Sequence, residues 1–341
     1  MRNVVLVVVH YRTPQDTLEC LESIVRLAVP YDVRHQVVVV ENGSEDESWR
    51  DLLQWRRAQV SLWSMEFGSN DLPAGVVEAS SCQLVDNGWE ITMMRAADNR
   101  GYAAGANLGM RFGARDGTAT DFWVLNSDLI LDPESLRHLL RNSEGRKPAI
   151  YGATLLYVDD PSLVQAAGGA VYLAPLGRSR HFGKRRHLND LPEKTPHFDY
   201  IVGAALFFPR RVLEEIGYLP EDFFIYFEET EWAARARARH IELVWVREAR
   251  LIHKEGRSTG ASARFRRLSD LSFRYVVRNS LLFTETRYPF WLTTVLLFNL
   301  YECIRHLGYG DFGKARVFVE AVREYWALRP QWAQKVSGLE G

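Results

Sequence analysis

The chain has 341 residues, 47% of them hydrophobic and 25% charged, with a formal net charge of −1. That composition suits an ordinary globular protein with room for one large α/β domain and an appendage, and it excludes a disordered or collagen-like chain. The even charge gives no ground for a nucleic-acid partner, and three scattered cysteines (Cys20, Cys82, Cys303), without CxxC or zinc spacing, speak against a disulfide framework or a structural zinc.

The apolar run 4–9 is too short for a signal-peptide core or a bilayer span. It reads as a strand of a parallel sheet covered on both faces, and the expected compartment is the cytoplasm. Thr13-Pro14-Gln15-Asp16 carries the marks of a helix start: a capping hydroxyl, Pro at the first helical position and an acid in the first turn. Leu18, Leu21, Ile24, Val25 and Ala28 follow at helical spacing. A second β-branched run, 37–40, ends in Glu41-Asn42-Gly43-Ser44, so the opening segment predicts a right-handed βαβ unit.

Residues 50–90 show no clean period. Beyond them, 91–94 predicts a strand before Asn99-Arg100-Gly101, 103–113 a helix, and 122–125 a strand stopping at Asn126-Ser127-Asp128. Asp132-Pro133-Glu134-Ser135 marks a helix running through Leu140. Strands are expected over 150–158, 170–173, 201–208 and 241–246, with a basic loop over 177–190 that contains Arg178, Arg180, Lys184, Arg185 and Arg186. Helices are expected over 211–216 and 228–239, the latter with Glu231 and Arg235 as an i,i+4 pair. A second basic stretch holds Arg264, Arg266, Arg267, Arg274 and Arg278. From about Leu268 the chain reads as helical, and 290–301 is almost wholly apolar.

Open parallel sheets bind ligands beyond the carboxyl ends of their strands. Four such ends are polar here: His10-Tyr11, Glu41-Asn42, Asn99-Arg100-Gly101 and Asn126-Ser127-Asp128. Together they suit a nucleoside diphosphate with a divalent cation. An Asp after a strand is commonly a turn or cap residue, but Asp132 already serves the next helix, which leaves Asp128 for a hard cation such as Mg²⁺ or Mn²⁺. In NRGYAAGANLG (99–109), Gly105 and Gly109 read as a small-residue stripe against the sheet, while Gly101 lets the backbone approach a phosphate. The acids Glu228, Glu229 and Glu231 suit a solvated first helical turn. Amid Phe223, Phe224, Ile225, Tyr226, Phe227 and Trp232, they equally suit a desolvated general base. His253 reads either as a packed core histidine or as a ligand at the head of the polar stretch 254–258.

Six segments in order, VVVHYRT (7–13), VVVVENGSEDES (37–48), NRGYAAGANLG (99–109), FWVLNSDLILDPESL (122–136), FFIYFEETEW (223–232) and HKEGRST (253–259), resemble the family 2 inverting glycosyltransferases. The likeness is greatest to their bacterial rhamnosyltransferase-like branch, and it covers residues 3–285. It implies an α/β GT-A fold, with a Rossmann-like, mostly parallel mixed sheet flanked by helices. The catalytic domain would span 1–265 (nucleotide-binding half 1–130, acceptor-binding half 131–265), with a helical C-terminal extension over 266–341. The resemblance implies that Tyr11 and Glu41 hold the nucleoside and that Asn99, Gly101 and Asn107 lie by the sugar diphosphate. Asn126-Ser127-Asp128 replaces the family's metal-binding DxD, with Asp128 the retained ligand and His253 a second. Glu229 takes the place of the catalytic base in a Glu228-Glu229 pair, and Gly203 and Trp232 would shape the acceptor site. Three residues depart from the family pattern: Glu41 and Glu229 stand where Asp is usual, and Asn126 where an acid is.

The implied activity is inverting transfer of a sugar, rhamnose first, from a dTDP-, UDP- or GDP-sugar to a hydroxyl of a glycan or lipid-linked glycan in bacterial cell-surface polysaccharide synthesis. A dehydrogenase or nucleotidyltransferase would want a Gly-rich loop where His10-Tyr11-Arg12-Thr13 stands. A carbohydrate- or nucleotide-binding protein on a degenerate transferase fold is the other alternative, and predicts binding without turnover. The apolar segment 290–301, too short to span a bilayer, leaves two readings open. One is a helix that is buried or pairs a homodimer. The other is a helix lying peripherally on the inner face of the membrane, flanked by Arg287, Arg305 and His306.

Overall fold

The computed structural model describes residues 1–68, 71–85, 88–254 and 268–340, the last four by their backbone alone. The chain opens with β1 (Arg2–His10), α1 (Pro14–Ile24), β2 (Val33–Glu41) and α2 (Ser48–Ala58). β3 (Ser61–Glu66), β4 (Val76–Leu84) and β5 (Glu90–Ala96) lead to α3 (Tyr102–Gly113), β6 (Asp121–Asn126) and β7 (Leu129–Leu131). Next come α4 (Ser135–Ser143), β8 (Ala149–Tyr157), β9 (Val164–Ala167), β10 (Gly169–Leu173), β11 (Arg178–His181) and β12 (Tyr200–Ile201). β13 (Ala205–Pro209), α5 (Arg210–Ile216), α6 (Glu228–Ala238) and β14 (Glu242–His253) follow, and α7 (Asp270–Arg287), α8 (Leu292–Gly308) and α9 (Gly313–Glu340) close the described chain.

The main sheet has the order β3-β4-β5-β2-β1-β6-β13-β8-β14-β7, with β9 beside β8. β5, β2, β1 and β6 are parallel, so their carboxyl ends share one edge. β13 runs against both β6 and β8, and this double reversal returns β8 and the parallel β14 to the direction of β6. His253, at the end of β14, therefore reaches the same edge as Asn126. A smaller sheet, β11-β10-β12, stands apart from it.

The continuous burial of β1 follows from cover on both faces, as its uninterrupted valines predict. Val4, Leu6 and Val8 join Leu21 and Ile24 of α1 and Leu52 of α2 in one core. Val5, Val7 and Val9 join Ala106 and Met110 of α3 in another. The glycine stripe of α3 explains how closely that helix sits: a Cβ at Gly109 would lie 2.4 Å from Val7 Cγ1, and one at Gly113 2.3 Å from Val5 Cγ1.

Several local expectations change. Thr13 caps α1 only by its backbone, for its hydroxyl is buried without a hydrogen-bond partner. The unpatterned stretch 50–90 holds most of α2 together with β3 and β4, and the basic loop contains β11. Glu231 meets Arg235 at 3.7 Å, but its closer partner is Arg287, whose guanidinium donates to both carboxylate oxygens at 2.6 and 2.9 Å. Arg264, Arg266, Arg267, the segment 255–259 of the last motif and the 265/266 boundary lie outside the described residues.

α7, α8 and α9 share a core of their own that includes Phe273, Val277, Leu281, Val295 and Trp332, and Phe223, from the segment before α6, inserts into it. The apolar segment of α8 is only half inside. Val295, Asn299, Cys303 and His306 are buried, whereas Leu296, Leu297, Leu300, Tyr301 and Ile304 are exposed. The expected flanking cations do not reach outward freely: Arg287 binds Glu231, Arg305 binds Glu302, and His306 is buried against Phe273. Among the described residues, no helix is long and apolar enough to cross a membrane.

Candidate active site

The site is assembled by short connections at the carboxyl edge of the sheet. β6 ends at Asn126, and after the turn Ser127-Asp128 the chain reverses into β7, which pairs with the end of β14 so that Leu129 faces His253. The Lys254 N–H then donates to the Asp128 carbonyl. This register sets His253 Nε2 3.2 Å from Asp128 Oδ1. The other ring nitrogen, Nδ1, lies 2.6 Å from Gln165 Oε1 on β9. Donation from Nδ1 to that oxygen fixes the ring with Nε2 toward the carboxylate, to which Nε2–H donates; without that proton, Nε2 would be placed as in a metal-ligating histidine. Asp132 accepts from the Glu134 N–H ahead of α4, so the turn before that helix does not draw on Asp128.

Asp128 is buried, which by itself would raise its pKa, but the hydrogen bond and charge of His253, with help from Lys254, hold it below the usual carboxylate range. Lys254 is itself anchored, its Nζ 2.7 Å from Asp16 and 2.6 Å from Glu19 on α1. One imidazole nitrogen and one anionic oxygen this close suit a divalent cation. Among the described residues no third His, Cys, Asp or Glu completes a metal cluster, so the donor set fits a cation that also takes oxygens from a ligand.

The second group of acids lies at the start of α6. Glu228 is buried with Oε2 lacking a hydrogen-bond partner, while Glu229 is half-buried over Gly203, where a Cβ would lie 3.3 Å from Glu229 Cγ. Burial raises Glu228 far above the carboxylate range, and the neighbouring Glu229 charge adds to this. Burial also pushes Glu229 up, to about 7, against opposing hydrogen bonds from backbone N–H groups at its own position and at Thr230. Tyr102 ties the two carboxylate groups together. Its hydroxyl donates to the Gly203 carbonyl at 3.1 Å, and burial raises its pKa with further contributions from Glu228, Glu229 and Asp128. Ala204, next to Gly203, accepts from the Asn126 N–H. Asp128, Glu228, Glu229, Gly203 and Tyr102 thus share one electrostatic neighbourhood. Tyr102 and Gln165 escaped the sequence reading, although Tyr102 stands beside Gly101 inside a quoted motif.

At the β1–β2 end, Tyr11 is half-buried and stacks with the Arg12 guanidinium, 5.0 Å from the ring centre. Glu41 is fully buried. Its Oε1 accepts from the Ser44 N–H at 2.5 Å, and Oε2 lies 3.8 Å from Arg95 without a hydrogen bond. Its neighbour in register, His10, is also buried, which lowers its pKa to about 4 despite the charge of Asp46. Asn99 accepts from Asn42 and from the Gly101 N–H, and so braces the turn before α3.

Three sequence assignments change. Asn107 is buried, and its amide is taken up by Leu219 and Glu221: Nδ2 donates to the Leu219 carbonyl and to Glu221, and Oδ1 accepts from the Leu219 N–H. It clamps a loop and does not face the strand-end edge. Trp232 is core, with its ring 4.8 Å from that of Phe208 and its indole N–H bonded to the Gly217 carbonyl. Gly101 does need its φ of +94°, but the backbone that approaches it is that of Phe224, whose carbonyl oxygen would lie 2.3 Å from a Cβ, and its N–H is taken by Asn99.

The mostly parallel sheet, its antiparallel β13 insertion and the flanking helices match the GT-A fold of solved glycosyltransferases. Among solved structures, GalNAc-T7 with UDP, GalNAc and Mn²⁺ superposes with a TM-score of 0.57 at 12% identity, over 85% of this chain and 49% of that one. The S. aureus TarS fragment 1–349 in complex with UDP-GlcNAc gives 0.53 at 13% identity, over 95% and 80%. In sequence, the low-salt glycan biosynthesis hexosyltransferase Agl10 of Haloferax volcanii is 28% identical over 169 residues, 49% of this chain and 52% of that protein. The chain therefore spans about half the length of the curated relative it matches. No protein-family model matches it.

Proposed function

We propose that the chain is an inverting glycosyltransferase of the rhamnosyltransferase-like kind, moving a sugar from a nucleoside diphosphate to an acceptor hydroxyl. The observation that carries this reading is the meeting, around Tyr102 and Gly203, of an Asp–His pair suited to a cation and a carboxylate raised into the range of a general base. Support comes from the hexosyltransferase likeness over half the chain and from a fold shared with proteins solved with UDP or UDP-GlcNAc.

Asp128 and His253 would hold Mg²⁺ or Mn²⁺, which when bound supplies positive charge for a departing diphosphate. Tyr11 and Glu41 take the nucleoside end, and Asn99, Asn126 and Ser127 line the path to the sugar. In the transfer, Glu229 removes the proton from the acceptor hydroxyl. That oxygen bonds to the anomeric carbon from the side opposite the diphosphate, and the bond to the diphosphate oxygen breaks with its electron pair. One displacement inverts the centre. Glu228 is more deeply buried, and burial together with the Glu229 charge pushes its pKa up, which favours its neutral form beside an ionised Glu229. The sugar we favour is rhamnose from dTDP-rhamnose, on the motif likeness alone. The acceptor we favour is a glycan or lipid-linked glycan of a cell-surface polysaccharide, met where α8 lies on the inner face of a membrane.

A thermal-shift screen of dTDP-, UDP- and GDP-sugars with and without Mn²⁺ identifies the donor. Glu229→Gln should then lose on the order of 10²–10⁴ in turnover while binding donor as before, and Asp128→Ala should lose the Mn²⁺-dependent part of binding. Near-normal transfer by Glu229→Gln would remove the base assignment. Donor binding by the unaltered chain with no turnover on any acceptor or on water would leave a degenerate, non-catalytic fold.

A further inference from the structure

The turn that delivers Glu228 and Glu229 is held from outside the catalytic sheet. Phe224, Tyr226 and Phe227 have φ of +64°, +67° and +75°, left-handed conformations that cost side chains of this size on the order of 1–2 kcal/mol each. None is glycine, so neighbouring contacts must hold the turn. On one side the Tyr102 N–H donates to the Phe224 carbonyl at 2.7 Å, where Gly101 leaves room for it.

On the other side α7 reaches in. Asn279 is fully buried, and its Nδ2 lies 2.9, 2.8 and 2.9 Å from the carbonyl oxygens of Phe223, Ile225 and Tyr226. Its Oδ1 accepts from Arg278 Nε at 2.8 Å, which sets the amide with its donors toward the turn. Arg278 Nη2 also donates to the carbonyls of Asp222 and Phe223, and the Phe224 ring stacks on Tyr275 at 4.8 Å. One amide group whose two N–H donors are shared among three carbonyls of the four-residue stretch 223–226 fixes its path more tightly than apolar contact could.

We infer that Asn279, oriented by Arg278, is a positioning residue for the base: it fixes the left-handed turn that aims Glu229, so that transfer depends on the C-terminal helices. This rests on the reading of Glu229 as the base. The test uses the full chain with Asn279→Ala and Asn279→Ser, the serine keeping one donor. Binding of UDP, dTDP or GDP, whichever the screen selects, is measured with Mn²⁺ by calorimetry, and turnover as release of that nucleotide from its sugar donor.

A displaced base costs on the order of 10²-fold in kcat, so Asn279→Ala should fall by about that much and Asn279→Ser should recover part of it. The nucleotide Kd and the donor KM should stay within about threefold, the split expected when only the reacting geometry is lost. Unchanged kcat in either folded variant overturns the inference, as does a loss of nucleotide affinity in step with kcat. If Asn279→Ala does not fold, the serine variant decides by the same split. Glu229→Gln run alongside separates the two ideas: if it keeps its turnover the base reading itself fails, and if it loses turnover while the Asn279 variants do not, only the positioning role fails.

Discussion

Two adjacent carboxyls at the head of α6 meet different surroundings, and that difference underlies the roles proposed for them. Glu228 is sealed in with an unpartnered oxygen, whereas Glu229 faces Gly203 and receives backbone hydrogen bonds. They titrate as a pair, with burial pushing both upward. A base must be ionised to act, so the rate should rise with pH through about 7 and then level. A pH profile whose rising limb lay near 4 would contradict the burial of Glu229. Stability should show the opposite trend. A carboxyl whose folded value lies above its unfolded value, about 4.3, contributes stability that is complete below the unfolded value and is lost as pH rises through the folded one. Glu229→Gln carries no such loss. Urea titrations should therefore find the variant more stable than the parent at pH 8, with the gap closing below about pH 4. Asn107 gives a residue-scale test of its reassignment. Asn107→Ala takes the side-chain partner from both the N–H and the carbonyl of Leu219, while Glu221 keeps Arg111, and should cost about 2 kcal/mol of stability. Donor KM should not move, whereas a KM effect without a stability effect would return Asn107 to the donor site.

At the scale of elements, the same substitution should have opposite signs in two helices. Gly109 of α3 lies against Val7, a stiff β-branched core residue, so Gly109→Ala forces helix and sheet apart and should cost about 1–3 kcal/mol. Gly308 ends α8 with open space around it, so Gly308→Ala should gain about 0.5–1 kcal/mol from helix propensity and chain entropy. Equal effects in chemical denaturation would refute the close packing of α3. That packing was legible in the sequence because glycines at a four-residue spacing have few other uses in an amphipathic helix. β1 and β2 were legible because nearly continuous β-branched runs suit strands buried on both faces, and β6 because a short apolar run stops at polar residues. β3 was not, for all its residues except Ser61 are exposed and no alternation survives. Nor was β11, whose basic composition resembles a loop although Arg178 is turned inward onto Asn299 and Phe298. In the site, residues next to strand ends could be found from sequence, since backbone direction places them. Gln165 and Asn279 could not, because each acts on a partner some tens of residues away and only the register of β9 or the docking of α7 joins them. Trp232 misled for the reverse reason: its place in a functional motif suggested the site, but the α6 helix turns its indole into the core.

At the scale of the molecule, the C-terminal helices serve two surfaces at once. Their inner side grips the turn ahead of Glu228 and Glu229 through α7, and their outer side is the exposed apolar face of α8. Leu297, Leu300, Tyr301 and Ile304 recur there at helical spacing, with Phe290 before them and Tyr309 and Phe312 after, all exposed. Exposed apolar residues grouped in this way fit the membrane contact proposed for α8. Its aromatic ends suit the headgroup level of a bilayer on which a lipid-linked acceptor would be presented. The charges around it decide what kind of contact this is. Among the cations beside it, Arg287 and Arg305 are paired with Glu231 and Glu302, so in this proposal insertion of apolar side chains carries most of the binding. The chain should therefore float with neutral phosphatidylcholine vesicles nearly as well as with vesicles containing phosphatidylserine. Raising salt from about 0.05 M to about 0.5 M should change the bound fraction by less than about twofold. Leu297→Glu and Ile304→Glu should each abolish flotation and leave nucleotide binding intact, since the outer face of α8 does not touch the base turn. Strong dependence on salt or on anionic lipid would mean that other cations carry the contact. Absence of flotation, together with a monomer–dimer equilibrium removed by the same two substitutions, would show that a second copy of the chain covers this face.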